Sequence, residues 1–181
     1  MVNARGQKQN TKTKYDALSI AKYLLSLDPE RGYFSNKRSE HKITSATITT
    51  GNFRLNQTLY FIQILYYLKY EKLLFEDKFY AWESGMVIYN VYTHFSSLYF
   101  NINGKNIKEI EDEETKEFIN KCYNYLKTTT SDRTLQEFAF TDPIWSSTWG
   151  RSPQPEINFT DQENIGIYRQ HCSRWLQEAK L

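Results

Sequence analysis

Residues 55–70 read LNQTLYFIQILYYLKY, and the fold turns on what this run becomes. Leu55, Leu59, Ile62, Leu65, Tyr66 and Lys69 fall on one stripe of a helix, while Phe61, Ile64 and Leu68 make the opposite face apolar too. A helix that is apolar nearly all round belongs in the middle of a domain. The spacing therefore predicts a central buried helix over about 53–70, with a mainly α domain packed around it. Asn56, Gln57 and Gln63 interrupt the run, so it falls short of the roughly 18 apolar residues that a membrane span needs.

Upstream, Asp16 is a good N-cap, and Ala17, Ile20, Ala21, Leu24 and Leu25 recur at helical spacing until Pro29 stops them. Between Glu30 and Gly51 the residues are polar, and they read as a long loop, mobile or functional at that length. Residues 1–14 carry Arg5, Lys8, Lys12 and Lys14 with no acid and read as a disordered basic arm. An arm of this kind has a nucleic-acid reading, but four charges hold phosphate weakly at physiological salt.

Downstream, FEDKFYAWESGMVIYNVYTHF leaves room for a short strand or hairpin near 77–83. After Gly85, Val87, Val91, Tyr92, Phe95 and Leu98 resume helical spacing. Six acids between Glu109 and Glu117 suit an exposed helix start, with Phe118, Ile119, Cys122, Tyr123 and Leu126 as its buried face. Short helices are expected over 132–138 and 142–149, and a loop over 150–159. Thr160 and Glu163 match a capping box ahead of an amphipathic helix through Ile165, Tyr168, Cys172, Trp175 and Leu176. Neither a repeat nor a linker divides the chain, so one domain over 15–181 is expected.

Composition narrows the class. The chain has 181 residues, 40% of them hydrophobic and 24% charged, which suits a globular domain with a full core. Twenty-three basic against 21 acidic residues give a net charge of +2, no field for nucleic acid by itself. The N-terminal run has no apolar segment of the signal-peptide type, and a cytoplasmic protein is expected. Cys122 and Cys172 lie far apart on apolar helical faces and read as buried thiols. Gly and Pro are scarce (7 and 4), which favours helices over turn-rich β architectures.

No constellation for chemistry stands out. His41, His94 and His171 have no ligand spacing, and neither a nucleophile elbow nor a glycine-rich phosphate loop is present. Glu83 beside Trp82 lacks a second carboxylate to partner it. No catalytic, metal-binding or cofactor-binding residue is therefore assigned, and the expectation is a protein that is not an enzyme. What stands out is the aromatic content, 16% of residues with 14 Tyr. Tyr23, Tyr33, Tyr60, Tyr66, Tyr67 and Tyr70 cannot all be buried with paired hydroxyls. They read either as a core rim or as anchors for a protein partner.

The order of motifs carries a resemblance. YDALSIAKYLL, then the block from Leu55 to Phe95, then LQEFAFTDPIWSSTWG resemble the Panacea domain family of phage-associated SocA-like and GepA-like proteins. The resemblance spans about residues 15–178. Matching positions are Tyr15, Ala17, Ile20 and Ala21; Leu55, Leu59, Tyr60, Phe61 and Gln63; Leu74, Phe75, Phe79, Ala81, Trp82, Gly85, Val87 and Tyr92; and Trp145. Gln57 and Thr58 stand where the family usually has Lys-Leu, Met86 replaces a Pro, and Phe140 occupies a Thr-His position. The chain is thus identified as a divergent member.

That resemblance implies an antitoxin that neutralises a co-encoded protein toxin by direct binding, without catalysis or a cofactor. It also implies, as an alternative, an adaptor that delivers a toxin to the ClpXP protease; separately from the resemblance, the basic arm leaves open a regulator that binds its own operator DNA. Tyr15, Leu59, Tyr60, Phe61, Trp82, Gly85, Val87, Tyr92 and Trp145 become the motif residues to place, as structure or as partner contacts. An enzyme that uses His94 or Glu83 stays open as a third class.

Overall fold

Asp16 opens the first helix, α1 (Ala17–Ser26), as expected: its carboxylate accepts from the Ser19 amide at 2.8 Å. A second carboxylate, Asp77, accepts from the Ala17 amide 60 positions away and so ties the segment beyond residue 70 to the same helix start. The computed structural model describes residues 14–100, 107–151 and 155–181. The expected basic arm lies outside the described residues apart from Lys14.

The segment after α1 departs from the expected loop. Asp28 turns the chain by accepting from the Tyr33 and Phe34 amides, and both rings are buried. The chain then forms an antiparallel hairpin of β1 (Arg38–Glu40) and β2 (Thr47–Thr49). Three-residue strands are too short to show a period of two, and only Ile48 faces inward, which is why the sequence reads as loop.

The central helix, α2 (Thr50–Tyr70), is buried at every residue from Thr50 to Tyr66 except half-buried Arg54. It packs against α1, both hairpins and most of the later helices. The helix begins three residues before the predicted start, because Gly51 belongs to it. The Gly51 amide donates to the Ser35 carbonyl at 2.7 Å, and a β-carbon there would lie 2.5 Å from the Phe34 backbone.

Beyond α2, the chain forms β3 (Phe79–Trp82) and β4 (Gly85–Ile88) around a two-residue turn, then α3 (Tyr89–Phe100). The hairpin near 77–83 is present, but it continues through Val87, which the spacing had placed in a helix. β-Branched and aromatic residues fit both patterns, and Gly85 at φ +116° reverses the chain into a strand rather than a helix.

The remaining helices are α4 (Glu113–Thr129), α5 (Asp132–Thr141), α6 (Pro143–Thr148) and α7 (Gln162–Glu178). Asp112 caps α4 and Ser131 caps α5. Two details differ from the sequence reading. Glu156–Ile157 forms β5, which pairs with β3 inside the expected loop over 150–159, so the sheet runs β4-β3-β5. The cap of α7 is Asp161, not Thr160: its carboxylate accepts from the Glu163 and Asn164 amides. Cys122 and Cys172 are buried free thiols, and burial raises the Cys172 thiol to about 12. Seven helices and two small sheets among the described residues make the fold mainly α, as expected. None of these helices is long and apolar enough to cross a membrane.

Candidate functional site

Amides buried in the core helix lie beneath a cleft bounded by both hairpins. A β-hairpin with a two-residue turn leaves the backbone groups of alternate residues pointing away from the partner strand. On β4 these are Met86 and Ile88, and α2 satisfies both. The Gln57 side-chain amide donates to the Met86 carbonyl at 3.1 Å, and Asn56 accepts from the Ile88 amide at 2.8 Å. Asn56 in turn donates to Asn52, which donates to the Tyr92 carbonyl. Three amide side chains thus end the sheet edge and fix the start of α3. A further amide, Gln63, pairs with the Leu74 amide and the Phe75 carbonyl.

The cleft above these amides has a volume of about 470 Å³. Its floor is Asn52, Phe53, Asn56 and Gln57 of α2; its walls are β2, the turn between β3 and β4, and the end of α6. Aromatic rings gather at its rim. Tyr92 and Trp149 are each 43% exposed, and Tyr89, just outside, is 54% exposed. Half-buried Trp82 packs edge-to-face against Tyr92 and Tyr89, and Trp149 stacks on Trp145. The Trp145 indole donates to the Trp82 carbonyl at 2.9 Å, which locks α6 to the hairpin.

The nine motif residues separate into two groups. Trp82, Gly85, Val87, Tyr92 and Trp145 converge on the cleft or directly beside it. Tyr15, Leu59, Tyr60 and Phe61 are buried elsewhere in the core. Tyr15 accepts from the Glu111 and Asp112 amides, and Phe61 stacks on Tyr125. None of the tyrosines of the first two helices is exposed. Tyr33, Tyr60 and Tyr66 are buried, and Tyr23, Tyr67 and Tyr70 are half-buried. Tyr33 is indeed buried with its hydroxyl unpaired.

Sequence reasoning passed over Asn52, Asn56, Thr47 and Trp149. The visible signal was the set of amides at 52, 56 and 57 in an otherwise apolar helix, since buried amides must be paired.

Titratable groups near the core serve structure. Asp142 caps α6 through the Ile144 and Trp145 amides and accepts from the Tyr60 hydroxyl, which pairs with Tyr168. Burial raises the Asp142 carboxyl above its ordinary value and pushes both phenols well up. His41 is fully buried against Phe53 and Phe140, and its Nδ1 accepts from the Ile43 and Thr44 amides. Burial lowers its pKa, and Glu83 opposes this. His94 binds the Asn90 carbonyl of its own helix at the surface. Glu83 is exposed at the cleft mouth. Among the described residues, no three His, Cys, Asp or Glu side chains are grouped to hold a metal ion.

No curated protein matches the chain, and no solved structure matches it. A family model described as "Antitoxin SocA-like, Panacea domain" matches residues 55–165. That span takes in most of α2 with Asn56, Gln57 and Gln63, the β3–β4 hairpin, α3 and the Trp145 helix, whereas the β2 wall of the cleft and Asn52 lie upstream of it. By this match over more than half its length, the chain belongs to the SocA-like antitoxin family of Panacea domains.

Proposed function

We propose that the protein is the antitoxin of a toxin–antitoxin pair, and that it neutralises a co-encoded protein toxin by direct binding in the cytoplasm, without catalysis. One observation carries the reading: exposed Tyr92 and Trp149 line a cleft, with Trp82 between it and Tyr89. Large rings held in place by their neighbours lose little conformational freedom on binding, and Tyr and Trp dominate binding energy at protein interfaces. A stable complex of this kind buries about 1,200–2,000 Å², more than the cleft alone offers, so the contact extends beyond the rim over Tyr89.

Growth of cells that express the neighbouring reading frame is the test. That frame should arrest growth, co-expression of this protein should restore it, and the two chains should co-purify. His94→Ala with His171→Ala should leave rescue intact, since both imidazoles lie at the surface away from the cleft. A well-folded double variant that no longer rescues supports an enzyme instead. Rescue without a complex, lost in protease-deficient cells, supports delivery to ClpXP.

A further inference from the structure

The ribbon of β1 and β2 has an unused edge. In the register Arg38↔Thr49, Ser39↔Ile48, Glu40↔Thr47, the bonded pairs alternate. The His41 amide donates to the Ala46 carbonyl and the Thr50 amide to the Lys37 carbonyl, both at 2.8 Å. Residues 46, 48 and 50 therefore turn their backbone groups toward β1. Thr47 and Thr49 turn theirs the other way, and both residues line the cleft. Among the described residues, no group pairs with the Thr47 amide, the Thr47 carbonyl or the Thr49 amide.

The two sheet edges on α2 are thus treated in opposite ways. On β4, Gln57 pairs the outward Met86 carbonyl and Asn56 the outward Ile88 amide. On β2 the corresponding groups are left open to the cleft. An open edge strand is a template for another strand. The cleft volume of about 470 Å³ lies within the range of about 300–1,000 Å³ typical of ligand sites. Among the described lining residues Glu83 is the single charged one, so the complementary occupant is basic. Trp82, Tyr92 and Trp149 add apolar surface beside it.

We propose that an extended segment of the toxin, carrying a Lys or Arg two positions from an apolar residue so that both face the cleft, adds as a third strand to β2. Its backbone pairs with Thr47 and Thr49, its basic side chain meets Glu83, and its apolar side chain enters among the rings. This deepens the antitoxin reading and rests on it. Main-chain pairing gives the affinity in this mode, and the alternate side chains give the specificity.

The experiment uses the full chain and the protein product of the neighbouring reading frame. Thr47→Pro removes the outward amide without touching the β1–β2 bonds, and Glu40→Pro is its control on the opposite, outer edge of the same ribbon. Thr47→Pro should weaken the complex about tenfold, the scale of one lost backbone bond, while Glu40→Pro leaves it unchanged. Glu83→Lys should weaken it further by like-charge contact. Amide exchange provides a readout that needs no variant: the Thr47 and Thr49 amides should become protected in the complex. If the complex forms yet those amides exchange as in the free chain, strand addition is wrong while the antitoxin reading stands. If both Pro variants fold and weaken the complex equally, the free edge of β2 is not the site. If no complex forms at all, both readings fall.

Discussion

Gly85 concentrates two constraints in one residue. Its φ of +116° is strained for any L side chain, and a β-carbon would lie 2.8 Å from the Gln57 amide nitrogen. Gly85→Ala should therefore cost on the order of 1–3 kcal/mol, read as a fall in urea midpoint. Combining it with Gln57→Ala removes the contact but not the backbone strain, and it orphans the Met86 carbonyl, so the double variant should not recover wild-type stability. Full recovery would mean that the backbone conformation costs nothing. His41 sets a pH dependence of definite sign. Because burial lowers its pKa, the unfolded chain takes up the proton near 6.5 while the folded chain resists until lower pH. Its contribution is thus fully present above 6.5 and lost as pH falls through the folded value. Asp142 acts oppositely. Its raised pKa means that ionisation above 3.8 costs folded stability. Between pH 7 and 5 the urea midpoint of the wild type should fall more than that of His41→Leu; parallel profiles would remove His41 as the source.

At the scale of elements, α2 is both the core and the frame for the hairpins. Leu59 is fully buried, so Leu59→Ala should cost about 2–5 kcal/mol through the cavity it leaves. Gln63→Leu keeps the shape but strands the Leu74 amide and the Phe75 carbonyl, each at about 1–3 kcal/mol. Chemical unfolding measures both. A near-zero change in the second would show that solvent or a shifted loop satisfies those groups. The contrast explains what was legible in the chain. The boundaries of α1 and the buried faces of α2, α4 and α7 follow from apolar spacing, and the Asp16 cap follows from residue type. Strands of two or three residues, such as Arg38–Glu40 and Glu156–Ile157, carry no period to read. Thr160 and Asp161 are adjacent acceptors, and local pattern does not choose between them. The pairing of Gln57 with Met86 joins residues 29 apart, which spacing rules do not address. The motif residues Trp82, Gly85, Val87, Tyr92 and Trp145 were legible as a set only through the family resemblance. Their gathering at one cleft, and the addition of Thr47 and Trp149 to it, required the fold.

At the scale of the whole molecule, rigid helices hold a cleft whose walls come from distant parts of the chain. Most rings are buried in the core, while Tyr92 and Trp149 are exposed at the cleft, Tyr89 just outside it and Phe100 at the end of α3, so on the proposed reading the aromatic content divides between folding and recognition. This division makes binding separable from stability. Tyr92 and Trp149 are exposed enough that Tyr92→Ala with Trp149→Ala should leave the thermal transition nearly in place. The dissociation constant of the purified complex with the neighbouring gene product, compared between the wild type and this double variant, is the most direct measurement. The account predicts a loss of at least about 2 kcal/mol, roughly thirtyfold, with the fold retained. An unchanged dissociation constant in a fully folded double variant would contradict the assignment of this cleft as the toxin-binding site.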